Sequence, residues 1–345
     1  MAVRLALALR VLLLVLALVL LTTACSSRTE LESELDDYLT RLSRVLDEEI
    51  LTTQTEPLTR LRTRKIDVPR VKITVLDFLG LLGCELQYTI GERNSSMGRM
   101  ATDSQRLLNT LRLLQQAPPC IQRLRDNERQ EQADELQALM QLKRDQLPAL
   151  IYNATLAGPE FDAFWSMTVA RDYPENVSTE VVDALIHLSN FIDSWLSDEP
   201  TIDSRQLELT LGLIRSGDGG ALLRSLAVSA ASLRSASSMI DARLERRPVC
   251  LAAQPNKTSK TFERVVLRSF IGAVQPRQAR LNQRYYDLIE PIHRIEQQLH
   301  SILPEDYQLW RSLRGARFES FMQAPRNHIE AIKQIPLQCG SNFGR

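Results

Sequence analysis

The chain has 345 residues, in which 42 lysines and arginines are balanced by 42 aspartates and glutamates. Hydrophobic residues make up 44% of it and charged residues 24%. This composition is ordinary for a globular protein and excludes disordered, collagen-like and polytopic membrane chains. A neutral chain also lacks the basic excess typical of nucleic-acid-binding proteins, so we expect no nucleic-acid partner.

Residues 1–24 predict a secretory signal peptide that is removed from the mature protein. Arg4 and Arg10 supply a basic start, an unbroken apolar run follows over residues 11–21, and three small residues precede Cys25. A basic segment, a short apolar segment and a small-residue cleavage site are typical of such a signal. The apolar run is too short for a transmembrane helix, which needs ~20 apolar residues.

Residues 21–25, Leu-Thr-Thr-Ala-Cys, resemble the lipobox of bacterial lipoproteins. In that family the chain is cut just before the cysteine, which carries a diacylglycerol on its sulfur and a further acyl chain on its amino group. The resemblance implies that Cys25 is a lipid attachment site, and three acyl chains exceed the two signals that stable anchoring needs. Ser26 resembles the sorting pattern for the outer membrane, which implies an anchored protein that faces the periplasm. The alternative is an ordinary signal peptide followed by an incidental cysteine.

Four further cysteines, Cys84, Cys120, Cys250 and Cys339, predict two disulfides, because a secreted chain meets an oxidising compartment. Three connectivities are possible. We favour Cys84–Cys120 and Cys250–Cys339, since each pair then lies within one half of the chain. A zinc site is the competing interpretation, but the chain has no Cys-x-x-Cys spacing to support it.

The mature chain predicts an all-α fold, because apolar residues recur at spacings of three and four and strand signals are nearly absent. Thr29 and Glu32 form a capping-box pattern before the first helix. We expect an elongated bundle of roughly eight to ten helices in one domain, residues 25–345, with a possible sub-domain break near 172–178. The clearest predicted helices cover residues 31–50, 73–92, 103–117, 130–147, 159–170, 178–197, 226–244 and 281–302.

The stretch from Leu79 to Gly98, LGLLGCELQYTIGERNSSMG, resembles the signature of an uncharacterised family of proteobacterial envelope lipoproteins. The helix that follows Cys25, the Pro-Pro-Cys step at Cys120 and the terminal Cys339 are similar to that family as well. The resemblance covers nearly the whole mature chain. It implies an all-helical envelope lipoprotein and brings no activity, cofactor or catalytic residue.

One helix face offers a candidate metal site, because His293, Glu296 and His300 follow one another at spacings of three and four. In the heptad that begins with Leu281 and Tyr285, however, both histidines face away from the packing seam. A di-metal bundle also needs Glu-x-x-His motifs on two inward-facing helices, and the chain has only one. We therefore favour a solvated face, with no metal and no cofactor.

Residues 60–72 carry six cations and a single acid. Near an anionic surface each cation adds ~1 kcal/mol of attraction, so this segment is a candidate contact for lipopolysaccharide phosphates or peptidoglycan carboxylates. A solvated linker is the alternative that we favour. The cations are Arg60, Arg62, Arg64, Lys65, Arg70 and Lys72.

The remaining candidates favour structural roles. Glu85 and Glu92 lie one heptad apart and are expected to face water or pair with arginines, and the glycine-rich residues 216–220 are expected to link two helices. No nucleophile elbow, zinc helix or phosphate loop is present, and the four histidines do not define a triad.

We therefore favour a non-enzymatic, lipid-anchored envelope protein that binds or scaffolds another envelope component. The alternative is a periplasm-facing hydrolase or transglycosylase-like enzyme with two carboxylates ~5–9.5 Å apart in a helical cleft. A third hypothesis, a lipid or small-molecule carrier, requires a large apolar cavity between the helices.

Overall fold

The computed structural model describes residues 29–51, 64–69, 83–95, 98, 100–166, 171–173, 178–197, 200 and 202–341. These residues form helices and connecting turns, and no strand occurs among them. Two disulfides join the chain, so the expected all-α multi-helix bundle with two disulfides is confirmed. None of the helices in these ranges is long and apolar enough to cross a membrane.

Eleven α-helices are present in the described ranges, together with a π-helical segment, Val266–Val274, and a short 3-10 turn, His300–Ile302. The π-helical segment joins two α-helices into one continuous helical run. In chain order the α-helices are α1 (Glu30–Leu46), α2 (Leu86–Asn94), α3 (Asp103–Asp126), α4 (Gln130–Ala154), α5 (Pro159–Phe164), α6 (Glu180–Trp195), α7 (Ser204–Arg215), α8 (Gly219–Arg246), α9 (Lys257–Val265), α10 (Gln275–Gln298) and α11 (Glu305–Gln338).

Helix α1 begins at the predicted capping box. The Thr29 side chain accepts from the backbone N–H of Glu32, and the Glu32 carboxylate accepts from the backbone N–H of Thr29. Asp172 accepts from the next two free backbone N–H groups, at 2.8 and 3.0 Å. Together they satisfy most of the orphan donors of the first turn. At the other end, the guanidinium of Arg246 donates to the carbonyls of Leu46 and Asp47.

Helices α3 and α4 form an antiparallel hairpin joined by a three-residue turn, and both run further than the sequence predicted. The predicted ends at residues 117 and 147 were wrong, because α3 continues through Pro118 and Pro119 and α4 through Pro148. A proline inside a helix removes one backbone donor and leaves one carbonyl free. Pro118 and Pro119 are exposed.

The second half of the molecule is arranged around α8, which packs against α1, α10 and α11. The predicted seams are buried: Leu226, Ala230, Leu233 and Ile240 on α8 are almost fully covered, and small residues allow the close approach of neighbouring helices. Helix α11 is the longest helix of the described chain, although no helix was predicted after residue 302. Pro325 and Pro336 lie inside it and obscured its pattern.

Three other predictions need correction or lie outside the described ranges. The helix predicted over 159–170 ends at Phe164, since Trp165 and Ser166 leave the helical path. Of the helix predicted over 73–92, residues 83–92 are described: residues 83–85 form a turn, and the helix begins at Leu86. The predicted sub-domain break at 172–178 lies mostly outside the described residues, and the buried side chains from Leu31 to Cys339 form one hydrophobic cluster.

Candidate functional site

The four paired cysteines connect as the sequence favoured. Cys84 bonds to Cys120, with 5.6 Å between their Cα atoms, and Cys250 bonds to Cys339, with 5.1 Å. The first bond ties the segment before α2 to α3, and the second ties the segment after α8 to the end of α11. Cys25 lies outside the described residues, so its lipid attachment stays a prediction.

The described part of the predicted basic segment, residues 64–69, contacts the α3–α4 hairpin. Lys65 Nζ lies 2.6 Å from the Asp103 carboxylate, and the Asn153 side chain bonds both backbone groups of Ile66 at 2.8 Å. Arg64 and Lys65 remain exposed. The other four cations, Arg60, Arg62, Arg70 and Lys72, lie outside the described residues, so their contact with an anionic partner stays a prediction.

The residues of the candidate metal face differ in burial. His293 and His300 are exposed, as expected for a solvated face, but Glu296 is buried with 1% of its surface accessible. The expectation was therefore wrong for Glu296, because α11 packs over this part of α10. No group of three or more potential metal ligands occurs anywhere in the described residues.

Glu296 is the centre of a buried polar cluster. The guanidinium of Arg314 donates two hydrogen bonds to its carboxylate oxygens, at 2.9 and 3.0 Å, and the Tyr307 hydroxyl donates a third at 2.8 Å. Two indole rings flank the guanidinium, with ring centroids 5.2 Å (Trp165) and 4.9 Å (Trp310) from its central carbon. Bidentate pairing and cation–π contact are the arrangements that best compensate a buried arginine.

This cluster keeps its charge but leaves no room for a ligand. Burial opposes the charged guanidinium, yet the Glu296 carboxylate outweighs it, so the pKa of Arg314 is raised. Burial and the same carboxylate raise the pKa of Tyr307 far above its ordinary value. The adjoining cavity is about 10 Å³, which holds no more than about one water molecule. The cluster therefore cross-links α10 and α11 and does not form a substrate site.

A second buried cluster joins α1, α8 and α11 through a histidine. His328 is fully buried, its Nε2 lies 2.8 Å from the Tyr38 hydroxyl, and its Nδ1 lies 3.0 Å from the Ser237 hydroxyl. The ring of Phe270, from the π-helical segment, packs edge-on against the imidazole at 4.9 Å between centroids.

A serine beside a histidine suggests a nucleophile and its base, but this pair lacks that geometry. The Ser237 hydroxyl donates to the Leu233 carbonyl at 2.9 Å, so it accepts from the imidazole instead of delivering its proton to it. The other ring nitrogen then accepts from Tyr38. Burial lowers the pKa of His328 to about 3, so the imidazole is neutral. A substrate has no route to a fully covered imidazole, and we assign this cluster a structural role.

The glycine-rich linker, residues 216–220, adjoins a third buried cluster, which is an ion pair. Asp218 precedes α8 and receives two hydrogen bonds from Arg284 of α10, at 2.6 and 3.0 Å. Gly217 and Gly219 pack directly on the ring of Phe164, so that an added Cβ would overlap it. The linker prediction is confirmed for residues 216–218, whereas Gly219 and Gly220 are already the first residues of α8. Gly217 and Gly219 serve close packing.

Glu85 and Glu92 are both exposed, as predicted, and they do not form a buried carboxylate pair. Two larger hollows are open grooves: one of about 400 Å³ between α3 and α4, and one of about 240 Å³ between α3 and α7. The only carboxylate that lines either groove is that of Glu208.

Sequence reasoning missed all three buried clusters, although one signal was readable. On α11 the spacing of Phe321, Ala324, His328, Ala331 and Ile335 follows the helical three–four pattern, and these residues are buried. That pattern would have predicted both the helix and an inward-facing histidine.

Comparison with known proteins identifies the chain only at the level of its family. A family model described as "Protein of unknown function (DUF3080)" matches residues 35–342. No curated protein and no solved structure matches the chain. The match includes all helices from α2 to α11 and both disulfides, so the chain belongs to this uncharacterised family.

Proposed function

We propose that this protein is a lipid-anchored envelope protein, attached through Cys25 to the outer membrane and facing the periplasm, whose helical domain binds or scaffolds another envelope component. The observation that carries the proposal is the pairing of four of the five cysteines in disulfides. Disulfides persist in oxidising compartments such as the periplasm. The fifth cysteine, Cys25, follows the predicted signal peptide, where a lipoprotein carries its lipid.

A binding role is favoured over hydrolysis because the buried carboxylates are already paired with arginines. The two most buried carboxylates, Glu296 and Asp218, are each held by an arginine within 3.0 Å. A carboxylate hydrolase needs two such groups ~5–9.5 Å apart in a cleft, and the grooves described above present only Glu208. A carrier would need an enclosed apolar cavity, whereas these grooves are open and carry polar rims.

The anchor is tested by metabolic labelling with radioactive palmitate. We expect the wild type to incorporate label and to fractionate with the outer membrane, and Cys25→Ala to lose the label. Ser27→Ala, two residues further on, is the matched control and should be labelled like the wild type. Equal labelling of wild type and Cys25→Ala would refute the anchor.

Sorting is tested separately from anchoring. Because Ser26 resembles the outer-membrane pattern, Ser26→Asp should keep the palmitate label but move the protein to the inner-membrane fraction. A wild-type protein that already fractionates with the inner membrane would overturn the proposed location while leaving the lipid intact.

The partner is tested with purified peptidoglycan sacculi and with lipopolysaccharide. We expect the protein to sediment with one of them and Arg64→Glu/Lys65→Glu to weaken this binding, since these cations are exposed. Unchanged binding in the variant would remove the basic segment from the contact.

A further inference from the structure

Residues 257–276 form a helical run with one exposed face that is cationic and partly apolar. It comprises α9, the π-helical segment and the first residues of α10. Phe262, Val266, Phe270 and Val274 cover the opposite face and are buried in the core. The exposed stripe, at spacings of three and four, contains Lys257, Lys260, Arg264, Leu267, Arg268 and Ile271; we call it the 257–271 face.

The charge of this face is not neutralised by the part of the domain that the structure describes. None of its four cations forms an ion pair with another described residue, and Glu263 is the only acid in the run. Leu267 and Ile271 each expose 43% of their surface beside these cations. Cations mixed with exposed aliphatic side chains on one helix are typical of segments that lie on a membrane surface.

The position of the face relative to α1 brings it within reach of the lipid. Only four residue steps separate Cys25 from Thr29, where α1 begins, a span of at most about 14 Å. The run packs directly against α1 and antiparallel to it, since Arg277 contacts Glu34 and Phe270 contacts Tyr38. Of the acids at the start of α1, Glu30 and Glu34 pair with Arg277, and Glu32 accepts from the backbone N–H of Thr29.

A stripe of similar composition lies on α7, and it differs from the 257–271 face in its position relative to α1. Leu209 and Leu213 are exposed there, as are Arg205 and Arg215. Helix α7 packs on α5 and α6, however, whereas the 257–271 face belongs to the run that packs on α1.

We propose that the 257–271 face lies on the surface of the anionic phospholipid bilayer in which the Cys25 lipid is inserted, so that the domain is docked flat and is not free on its tether. This inference rests on the proposed lipid anchor. Lysine and arginine side chains pair with lipid phosphates, and Leu267 and Ile271 enter the headgroup region.

Lysine footprinting of the lipidated full-length protein tests the proposal. The protein is reconstituted in vesicles with phosphatidylglycerol, in vesicles of phosphatidylcholine alone, or kept in detergent, and initial acetylation rates are read by mass spectrometry. Because four cations face the lipid phosphates, Lys257 and Lys260 should react at least about tenfold more slowly in phosphatidylglycerol vesicles than in detergent. Lys333 on α11 is an exposed internal control and should not change.

Two double variants define the contact. Arg264→Glu/Arg268→Glu should restore the acetylation rates of Lys257 and Lys260 in phosphatidylglycerol vesicles, as should high salt. Leu267→Ser/Ile271→Ser should restore them in part. The matched controls on α7, Arg205→Glu/Arg215→Glu and Leu209→Ser/Leu213→Ser, should keep the protection.

Two outcomes separate this inference from the anchor itself. The mass of the N-terminal peptide reports the lipid directly, so an unmodified Cys25 refutes the proposed anchor. If Cys25 is acylated and Lys257 and Lys260 react as fast in phosphatidylglycerol vesicles as in detergent, the docked face is refuted. Protection that is lost in the α7 variants instead would assign the membrane surface to α7.

Discussion

The α3–α4 hairpin and the bundle around α8 bury polar residues in different ways. In the hairpin, Thr110 bonds to the Arg106 carbonyl and Lys143 to Gln146, each within its own helix, and Asn153 reaches the backbone of Ile66. In the bundle, buried polar groups bond between helices, and the Tyr38–His328 contact spans 290 residues. Leucine packing and a disulfide therefore suffice for the hairpin, whereas the bundle is also cross-linked by Glu296–Arg314, Asp218–Arg284 and the His328 cluster.

Leucine packing and buried ion pairs differ in how strictly they fix the register of two helices. Leucine stripes tolerate small shifts of one helix along another, because any similar side chain fills the same groove. A bidentate ion pair accepts one register only, and a mismatch leaves a buried charge unpaired. We infer that the clusters set the register of α1, α8, α10 and α11.

Removing the disulfides should give the largest effects and shows whether the two regions unfold together. The chain-entropy model assigns roughly 5 kcal/mol to the Cys250–Cys339 loop and roughly 4 kcal/mol to the Cys84–Cys120 loop, which span 89 and 36 residues. We expect Cys250→Ser/Cys339→Ser to lower the free energy of unfolding more than Cys84→Ser/Cys120→Ser, measured by urea titration. The reverse order would show that the hairpin depends on its bridge more than the bundle does.

Breaking the Glu296–Arg314 pair tests the register argument. Glu296→Leu leaves the guanidinium buried without its partner, which should cost about 3–5 kcal/mol. Glu296→Leu/Arg314→Met removes both charges and should recover much of the loss in urea unfolding. Glu290→Leu, at an exposed position of the same helix, is the control and should change little. A double variant as unstable as the single one would mean that the pair does more than satisfy its own charge.

The His328 cluster should make the bundle acid-sensitive. Burial lowers the pKa of His328 from 6.5 to about 3, so between these values the unfolded chain binds a proton that the folded chain does not. The contribution of neutral His328 to the free energy of unfolding is therefore complete above pH 6.5. It falls by about 1.4 kcal/mol per pH unit as the pH drops towards 3.

Unfolding free energies of the wild type and His328→Gln, measured across this pH range, test the assignment. The variant should be less stable at neutral pH, and its stability should fall less steeply below pH 6.5. His300→Gln, at an exposed position, should follow the wild-type slope. Parallel curves for wild type and His328→Gln would exclude a buried neutral imidazole.

Glycine substitutions should give the smallest changes in stability. They distinguish glycines that are needed for close packing from glycines that only lower helix propensity. Gly219→Ala would place its Cβ against the Phe164 ring and should cost about 1–3 kcal/mol. Gly212→Ala lies on α7, where an added Cβ meets nothing within 4 Å, and should stabilise the helix by about 0.5–1 kcal/mol. Thermal unfolding measures both, and equal effects would refute the packing role of the linker.

Much of the fold could be predicted because it depends on neighbouring residues. The Thr29 cap, the leucine stripe of α1 and the seam on α8 each lie within a few turns of one helix, and the favoured cysteine pairs needed only the parity of the count and their position in the chain. At Pro118 and Pro148 the sequence predicted helix ends that the structure does not have, and around Pro325 it predicted no helix although α11 is present. In each case packing against neighbouring helices outweighs one lost hydrogen bond.

By itself, then, the amino-acid sequence determined the helical class and the candidate lipid site at Cys25, and it favoured the disulfide partners that the structure confirms. Only the tertiary structure decided that Glu296 is buried, and that Ser237, Tyr38 and His328 meet. The reason is physical: helix periodicity is local, whereas the burial of a polar side chain depends on which distant helix covers it and supplies the matching charge or hydrogen bond.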